Sequence, residues 1–340
     1  MQVKKHYSLK RLNAFKIDVT ANEFYTIETV EQLLYLIKEK NIYKKRPFVL
    51  GAGFNCLFTK NYDGSILYNQ LKGIQKISDS PTTTTVKVDS GEGWQSFVDW
   101  AADEELGGVE NLTNIPGTVG AAPIQNIGAY GVEVCDTIVE IECVDLSNGR
   151  FMRLLNSECE FSYRSSVFKE KYKNKLFITS VTFELQKNPK INTQYKDILE
   201  VLKNKGVAEA DLNIHFIKDT IAEIRTKKLP DPKIIPNAGS FFKNPIVLTK
   251  IGLQLKGLYA DMPIYELKND KFKLSAAWLI DQCELKGFKH KGAGVHENHA
   301  LVLVNLDYAD GESIVELSHI VQQKVNDKFN IKLEPEVNII

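Results

Sequence analysis

Ile115-Pro116-Gly117-Thr118-Val119-Gly120-Ala121-Ala122-Pro123-Ile124-Gln125-Asn126 is the stretch on which the reading of the fold turns. It runs on through Ile127-Gly128-Ala129-Tyr130-Gly131, and six glycines (Gly107, Gly108, Gly117, Gly120, Gly128, Gly131) crowd the segment. It is almost free of charge. Backbone of this kind can approach a ligand closely and turn its N–H groups toward a pyrophosphate. The plainer alternative is a set of tight turns that need positive φ.

A second strand-to-loop passage, Gly51-Ala52-Gly53-Phe54-Asn55-Cys56, carries the same ambiguity. It opens like G-x-G-x-x-G, but Cys56 stands at the third glycine and no acidic residue closes a Rossmann unit. No G-x-x-x-x-G-K-[ST] occurs, which disfavours P-loop chemistry. Two glycine-rich loops outside a Rossmann pattern suit a dinucleotide such as FAD held by another fold.

Working outward, Thr29-x-x-Gln32 is a capping-box pattern, followed at helical spacing by Val30, Leu33, Leu34 and Ile37. After Pro47, Phe48-Val49-Leu50 reads as a short strand, so the first 70 or so residues form a small α/β unit. Strand-like runs follow at Thr84–Val88, Ile138–Val144, Phe151–Leu155 and Leu176–Leu185, with Ser147-Asn148-Gly149 as a hairpin turn. The sharpest boundary is Leu229-Pro230-Asp231-Pro232-Lys233-Ile234-Ile235-Pro236, where three prolines can continue neither a helix nor a central strand. Beyond it, Ser275 caps a helix through Cys283, His299–Asn305 is a strand, and Ile314, Leu317, Val321 and Val325 form one helix face. With 340 residues the chain exceeds one average core. The expectation is α+β with three domains.

Composition excludes several classes. Lysine plus arginine equals aspartate plus glutamate, 43 each, so no global basic field points to nucleic acid or an anionic membrane. The dense basic run Lys44-Lys45-Arg46 reads as a solvated turn. The segment MQVKKHYSLKRLNAF has charge but no apolar h-region, so it is not read as a secretory signal, and no stretch has the apolar length of a membrane span. Five cysteines (Cys56, Cys135, Cys143, Cys159, Cys283) make no C-x-x-C pair and read as reduced, mostly buried thiols of a cytosolic protein. His296 and His299 form an H-x-x-H without a third ligand at useful spacing, so no metal is expected.

Three further spots place polar groups in unusual settings. Tyr163-Arg164 sets a guanidinium beside an aromatic ring; a surface arginine is the bland reading. Asn237-Ala238-Gly239-Ser240-Phe241-Phe242-Lys243-Asn244 sets a hydroxyl between glycine and two phenylalanines, without the G-x-S-x-G elbow of a hydrolase. Glu334-Pro335-Glu336 holds two carboxylates near the end, where solvated acids are the simple explanation.

Together these segments resemble the UDP-N-acetylenolpyruvoylglucosamine reductase family. The matching runs are LGAGFNCLF (50–58), ENLTNIPGTVGAAPIQNIGAYGVE (110–133), FSYRSSVFK (161–169), RTKKLPDPK (225–233), NAGSFFKNP (237–245), AAWLIDQCELKG (276–287), HALVLVN (299–305) and LEPEV (333–337). They appear in family order from about Arg11 to Val337. The resemblance implies a vanillyl-alcohol-oxidase-type fold, with FAD held by residues 1–72 and by 73–229 plus 330–340, and substrate by 230–329. It makes the two loops flavin-binding through Gly51, Ala52, Gly53, Phe54, Asn55, Ile115, Pro116, Gly117, Thr118, Gly120, Ala121, Ala122, Gln125, Asn126, Gly128, Ala129, Tyr130 and Gly131. Arg164 matches the catalytic arginine, Ser240 the proton-donating serine and Glu336 the carboxylate. Tyr195 matches the tyrosine of a loop that closes over substrate in one of the family's two types. Lys228, Asn244 and Tyr265 match substrate-binding positions, and Tyr163 and His299 are placed with them. Phe54 stands where many members have serine, His299 where glutamine is common, and Asn338 where some carry arginine.

The implied reaction moves a hydride from NADPH through flavin to the terminal enol carbon (C3) of an enolpyruvyl nucleotide sugar, in peptidoglycan precursor synthesis. Arg164 and the Glu336 carboxyl group would stabilise the charge that builds at C2, and Ser240 would protonate it. The expected partners are small molecules only, with no nucleic acid or membrane, and a cytoplasmic monomer. Two alternatives stay open at this point. One is another flavin oxidase or dehydrogenase of the same superfamily. The other is a catalytically silent nucleotide-sugar binding protein, which retention of Arg164, Ser240 and Glu336 argues against.

Overall fold

The computed structural model describes residues 3–207 and 211–340; Met1 and Gln2, which open the segment read above for a signal, lie outside them. The chain divides into two compact units. One comprises Met1–Tyr7, Ala21–Ala52 and Asp63–Arg225, the other Ser8–Thr20, Gly53–Tyr62 and Thr226–Ile340.

Among its described residues the first unit holds two larger sheets and a small two-stranded pair, Gly128–Ala129 with Val132–Glu133. Strands Lys4–Ser8, Thr20–Ile27, Tyr62–Asn69 and Pro47–Leu50 lie in that order, the last two parallel with Phe48 opposite Ile66. The sequence announces only the last of these, because the apolar alternation of the others is broken by polar residues. The helix Val30–Lys40 starts where Thr29 accepts the Gln32 N–H at 3.3 Å and stops at Asn41 in the left-handed region, φ 48. Gln32 Oε1 accepts from Glu28 N–H at 2.9 Å, one residue before the cap, so the reciprocal half of the expected box is shifted outward. Leu33, Leu36 and Ile37 bury against Ile27, Leu67 and Phe177, and Leu34 is only partly covered.

The second sheet is antiparallel in the order Phe151–Leu155, Ile138–Asp145, Leu176–Gln186, Thr83–Asp89, Ile74–Asp79. Its hairpin turns at Ser147-Asn148-Gly149, where Gly149 N–H donates to Asp145 O at 2.8 Å. On one face the helix Trp94–Asp103 packs Trp94, Phe97 and Ala101 against Val86, Val181 and Phe183, with Phe97 and Phe183 ring centroids 4.7 Å apart. Burying each such ring contributes about 2–3 kcal/mol, so this helix is a firm mount for what it carries. It carries the glycine-rich loop. Trp94 N–H donates to Gly117 O at 3.1 Å, and its indole Nε1–H to Leu112 O at 2.8 Å.

In the second unit strands Asn237–Ser240, Val302–Asn305, Ala293–Val295 and Lys289–His290 form an antiparallel sheet. The strand expected from His299 begins only at Val302, because His299 O accepts Val302 N–H at 3.0 Å and closes a turn. The helix Gly311–Phe329 is capped by Asp310 and buries the expected face, Ile314, Leu317, Val321 and Val325. The Ser275-capped helix is Ala276–Asp281, shorter than expected. A three-stranded sheet, Ile246–Leu248, Lys271–Leu274 and Ile264–Leu267, completes the unit with Asn338–Ile339 paired parallel to Cys56–Leu57. The proline-rich boundary is a turn built on Asp231, whose backbone carbonyl accepts Ile234 N–H at 3.0 Å. Among the described residues no helix is long and apolar enough to cross a membrane.

Candidate active site

In the first unit, Ser162 and Ser165 exchange two backbone hydrogen bonds of 3.1 Å, which leaves Tyr163-Arg164 at the tip of a two-residue turn. Arg164 has φ +55, a conformation that glycine or asparagine usually takes in such turns. An arginine held there costs about 1–3 kcal/mol, which the surrounding hydrogen bonds must offset. Its guanidinium donates to Gly128 O at 2.7 Å and Asn126 O at 3.5 Å, and lies 5.3 Å from the Tyr163 ring centroid. A Cβ on Gly128 would stand 3.1 Å from Arg164 Nη1, so the glycine makes the close approach possible. Sequence neighbourhood alone suggested a surface arginine; the structure instead locks it onto the glycine-rich loop.

That loop is itself held tightly. Val119 N–H donates to Glu92 O (2.9 Å) and Gly120 N–H to Ser90 O (2.8 Å), and the N–H groups of Ala121, Ala122 and Ile124 turn back into the loop. Those donors shape the loop, and what it offers a ligand comes from other positions. Ala122 sits in the hydrophobic core, with Ile115 and Ala129 packed at its margin. Asn126 is fully buried; its Nδ2 donates to Glu133 Oε2 (2.8 Å) and Ser162 O (3.2 Å), and its Oδ1 accepts Cys135 N–H (3.1 Å). Its side chain therefore braces the Arg164 turn. The two glycine loops meet where the Thr118 hydroxyl lies 2.6 Å from the place a Gly51 Cβ would take, while the same place at Gly117 is open. Close approach of Gly51 to Thr118, beside a Gly117 whose Cβ position is open, is the kind of glycine-built surface that lets a dinucleotide such as FAD come near the backbone.

Tyr195 begins the helix Lys196–Lys205, is 42% exposed, and meets Tyr130 edge to face at 5.1 Å. Two asparagines tie its loop to the glycine loop. Asn111 Nδ2 donates to Tyr130 O (3.0 Å) and Asn192 O (3.1 Å), and Asn192 Nδ2 to Gly131 O (3.3 Å). The Arg225 guanidinium donates to the Tyr130 hydroxyl and through Nε to Asn114 O at 3.2 Å. Burial pulls the Arg225 guanidinium below its ordinary pKa, opposed by Tyr130 and reinforced by Arg164. Burial likewise raises the Tyr130 hydroxyl, against the pull of Arg225.

The second unit contains Gly53, Phe54, Asn55, Lys228, Ser240, Asn244, Tyr265, His299 and Glu336. Glu336 N–H donates to Phe241 O (2.7 Å) and Lys243 N–H to Glu334 O (2.9 Å), a short ladder that sets Glu336 beside Ser240-Phe241. Asn55 joins them, its Nδ2 donating to Glu336 O at 3.4 Å. Asn338 then holds Asn55, donating to its carbonyl through both N–H (3.2 Å) and Nδ2 (2.9 Å). The position that departs from the resemblance thus orders the second glycine loop. His299 closes the turn before Val302, the cross-strand partner of Ser240. The His296 ring accepts Asn298 N–H through Nδ1 at 3.2 Å, closing a local turn. Asn244 Oδ1 accepts Ala276 N–H at 2.9 Å, Tyr265 is 48% exposed with Lys273 5.7 Å from its ring centroid, and Lys228 ends the helix Ile214–Lys228.

Asn111, Arg225 and Asn237 escaped the sequence reading. Asn237 left a signal there, an asparagine two residues before a glycine, the pattern of an Asx-turn. For Asn111 no local signal exists, because both its partners lie far along the chain. Of the five cysteines Cys56, Cys143 and Cys159 are buried, each thiol pushed up to about 12 by burial, and Cys135 and Cys283 are half-buried.

Residues 230–340 match the family model described as UDP-N-acetylenolpyruvoylglucosamine reductase, C-terminal domain, and residues 22–155 match an FAD binding domain. The chain is 42% identical over 341 residues to the UDP-N-acetylenolpyruvoylglucosamine reductase of Flavobacterium johnsoniae, covering 100% of both chains. It is also 42% identical to the enzyme of that name from Salmonella typhimurium, over 98% of this chain and 96% of that one. A crystal structure of UDP-N-acetylenolpyruvylglucosamine reductase from Thermus caldophilus superposes with a TM-score of 0.69 at 24% identity, covering 100% and 99% of the two chains.

Proposed function

The chain belongs to the UDP-N-acetylenolpyruvoylglucosamine reductase family, and from that premise we propose how its own residues carry the reaction. It is an α+β protein with a vanillyl-alcohol-oxidase-type FAD-binding fold. It is an FAD-containing oxidoreductase that uses NADPH to reduce UDP-N-acetylglucosamine enolpyruvate to UDP-N-acetylmuramate, a peptidoglycan precursor. The observation that supports the residue assignments is the backbone ladder pairing Phe241 with Glu336, which runs the Glu336 backbone alongside the Ser240-Phe241 segment.

Bound FAD supplies the redox chemistry, a hydride taken from NADPH and delivered to the terminal enol carbon C3. The two glycine loops would hold it, from Gly51 to Asn55 and from Ile115 to Gly131. The negative charge left at C2 and on the substrate carboxylate is met by Arg164, whose turn is fixed before substrate arrives. Donors already oriented need no reorganisation as charge develops, which is why such groups contribute strongly. The Glu336 carboxyl group, carried on backbone that Asn55 and Phe241 hold, acts with Arg164 on the same charge. Ser240 gives its hydroxyl proton to C2 and regains one from water. A hydroxyl is a weak acid, but a positioned one suffices beside a strongly basic carbanion. Lys228 suits the substrate diphosphate, Tyr195 closes over it, and Tyr163, Asn244, Tyr265 and His299 line the sugar-nucleotide site.

The enzyme acts in the cytoplasm in this reading, which is supported by five free cysteines and by a substrate and reductant that are soluble nucleotides, and it is proposed to work as a monomer. The test is a coupled assay on purified protein. NADPH oxidation should require the enolpyruvyl nucleotide sugar and match its loss one for one, and acid should release FAD from the precipitated chain. Peroxide formation from an alcohol, with flavin retained in the pellet, would support an oxidase of the same superfamily instead.

A further inference from the structure

We propose that Asn237 is a positioning residue for Ser240, holding the serine's direction through the Gly239 amide; the inference rests on the proton-donor reading of Ser240. Asn237 is 3% exposed, and both ends of its side-chain amide are bonded within the chain. Oδ1 accepts Gly239 N–H at 2.8 Å, and Nδ2 donates to Ile235 O at 2.7 Å and Pro230 O at 3.2 Å.

The strand register shows why this matters. Asn237 pairs with Val304 and Ser240 with Val302, so the Ser240 strand carries one residue more than its partner over the same interval. Such a bulge breaks the alternation of faces, and bulges beside active sites commonly re-aim a side chain. Gly239 takes up the change with φ +73. A Cβ at Gly239 would meet nothing within 4 Å, so the backbone conformation, not crowding, is what this position demands. On its C-terminal side Ser240 is fixed already: Phe241 N–H donates to Leu301 O (2.8 Å) and Phe241 O accepts from Glu336 (2.7 Å). On its N-terminal side the Asn237–Gly239 turn holds the bulge. An asparagine that bonds the backbone two residues on is the usual device for fixing such a turn. The same amide grips Pro230 and Ile235, and thus ties the Ser240 bulge to the turn that follows Lys228.

The experiment separates positioning from general stability. Asn237→Ala and Asn237→Ser are prepared as holoenzymes, and the two half-reactions are measured anaerobically beside Ser240→Ala. With Asn237→Ala, flavin reduction by NADPH should stay close to the wild-type rate. Flavin reoxidation by the enolpyruvyl nucleotide sugar should slow about tenfold to a hundredfold, the loss expected of a misplaced reacting group. Its solvent deuterium isotope effect should rise, since proton transfer becomes limiting, and the Gly239 amide should exchange faster in the substrate-free holoenzyme. Asn237→Ser should recover part of the rate, because a serine hydroxyl can accept from the same N–H. If Asn237→Ala loses its flavin, the serine variant decides by the same comparison. Wild-type reoxidation in an Asn237 variant while Ser240→Ala is slow would overturn the inference. So would a parallel fall of both half-reactions with an unchanged isotope effect. Wild-type reoxidation in Ser240→Ala would instead remove the proton-donor reading beneath it.

Discussion

Arg164 Nη2 donates to the carbonyl oxygen of Gly128 at 2.7 Å. The guanidinium and the glycine-rich loop are therefore tied together, and Asn126 of that loop also bonds Ser162 O at the base of the Arg164 turn and Cys135 N–H. A lysine cannot reproduce that forked grip or the contact with the Tyr163 face.

Arg164→Lys should consequently keep FAD and its reduction by NADPH, and slow reoxidation by the enolpyruvyl substrate. The loss should be about a hundredfold to a thousandfold, the scale on which single fixed donors to developing charge act. Single-turnover traces of each half-reaction check this; equal slowing of both would move Arg164 from chemistry to cofactor support.

Tyr195 rests edge to face on Tyr130 and is 42% exposed as a residue. Tyr195→Phe keeps the ring contact and removes only the hydroxyl. Substrate binding should weaken about tenfold to a hundredfold, the value of one hydrogen bond to a charged group, with the chemical step little changed. Titration of the oxidised enzyme with substrate reads this directly, and an unaltered affinity would take Tyr195 out of the site.

Glu23 offers a stability test remote from the chemistry. Burial alone would raise its pKa, but hydrogen bonds from Lys45 (2.9 and 3.0 Å), Tyr25 (2.8 Å) and Ser65 (2.9 Å), with the Lys45 charge, hold the carboxyl below its usual value. A carboxyl group with a lowered folded-state pKa adds stability above its unfolded pKa, and that stability is lost as pH falls through the folded value. Glu23→Gln should cost about 1–2 kcal/mol at neutral pH. The difference from wild type should shrink as pH drops below about 4. Thermal midpoints of both proteins across that range measure it; a gap that stays constant in acid would contradict the pairing.

Much of the architecture could be read from local pattern. The helix Gly311–Phe329 declares itself through Ile314, Leu317, Val321 and Val325, and the Ser147-Asn148-Gly149 hairpin through its turn residues. Strands such as Lys271–Leu274 and Ile264–Leu267 do not, since they are short, half exposed and mix lysine or glutamate with apolar residues. Candidate site residues inside long distinctive runs were legible as positions. What they touch was not, because the partners of Arg164, Asn111 and Glu336 come from distant segments. The braces are tertiary, and local sequence carries no trace of which carbonyl a side chain will reach.

The measurement that bears most directly on the assignment of roles is anaerobic stopped-flow on Ser240→Ala. The hydroxyl has no part in flavin reduction by NADPH, and its strand is fixed by backbone bonds of Phe241 that the substitution leaves in place. Flavin reduction should therefore proceed at close to the wild-type rate. Reoxidation by UDP-N-acetylglucosamine enolpyruvate should slow about a hundred- to ten-thousandfold, the usual contribution of a positioned proton donor. Ser240→Cys should recover part of that loss. Reoxidation of the alanine variant at the wild-type rate would contradict the account.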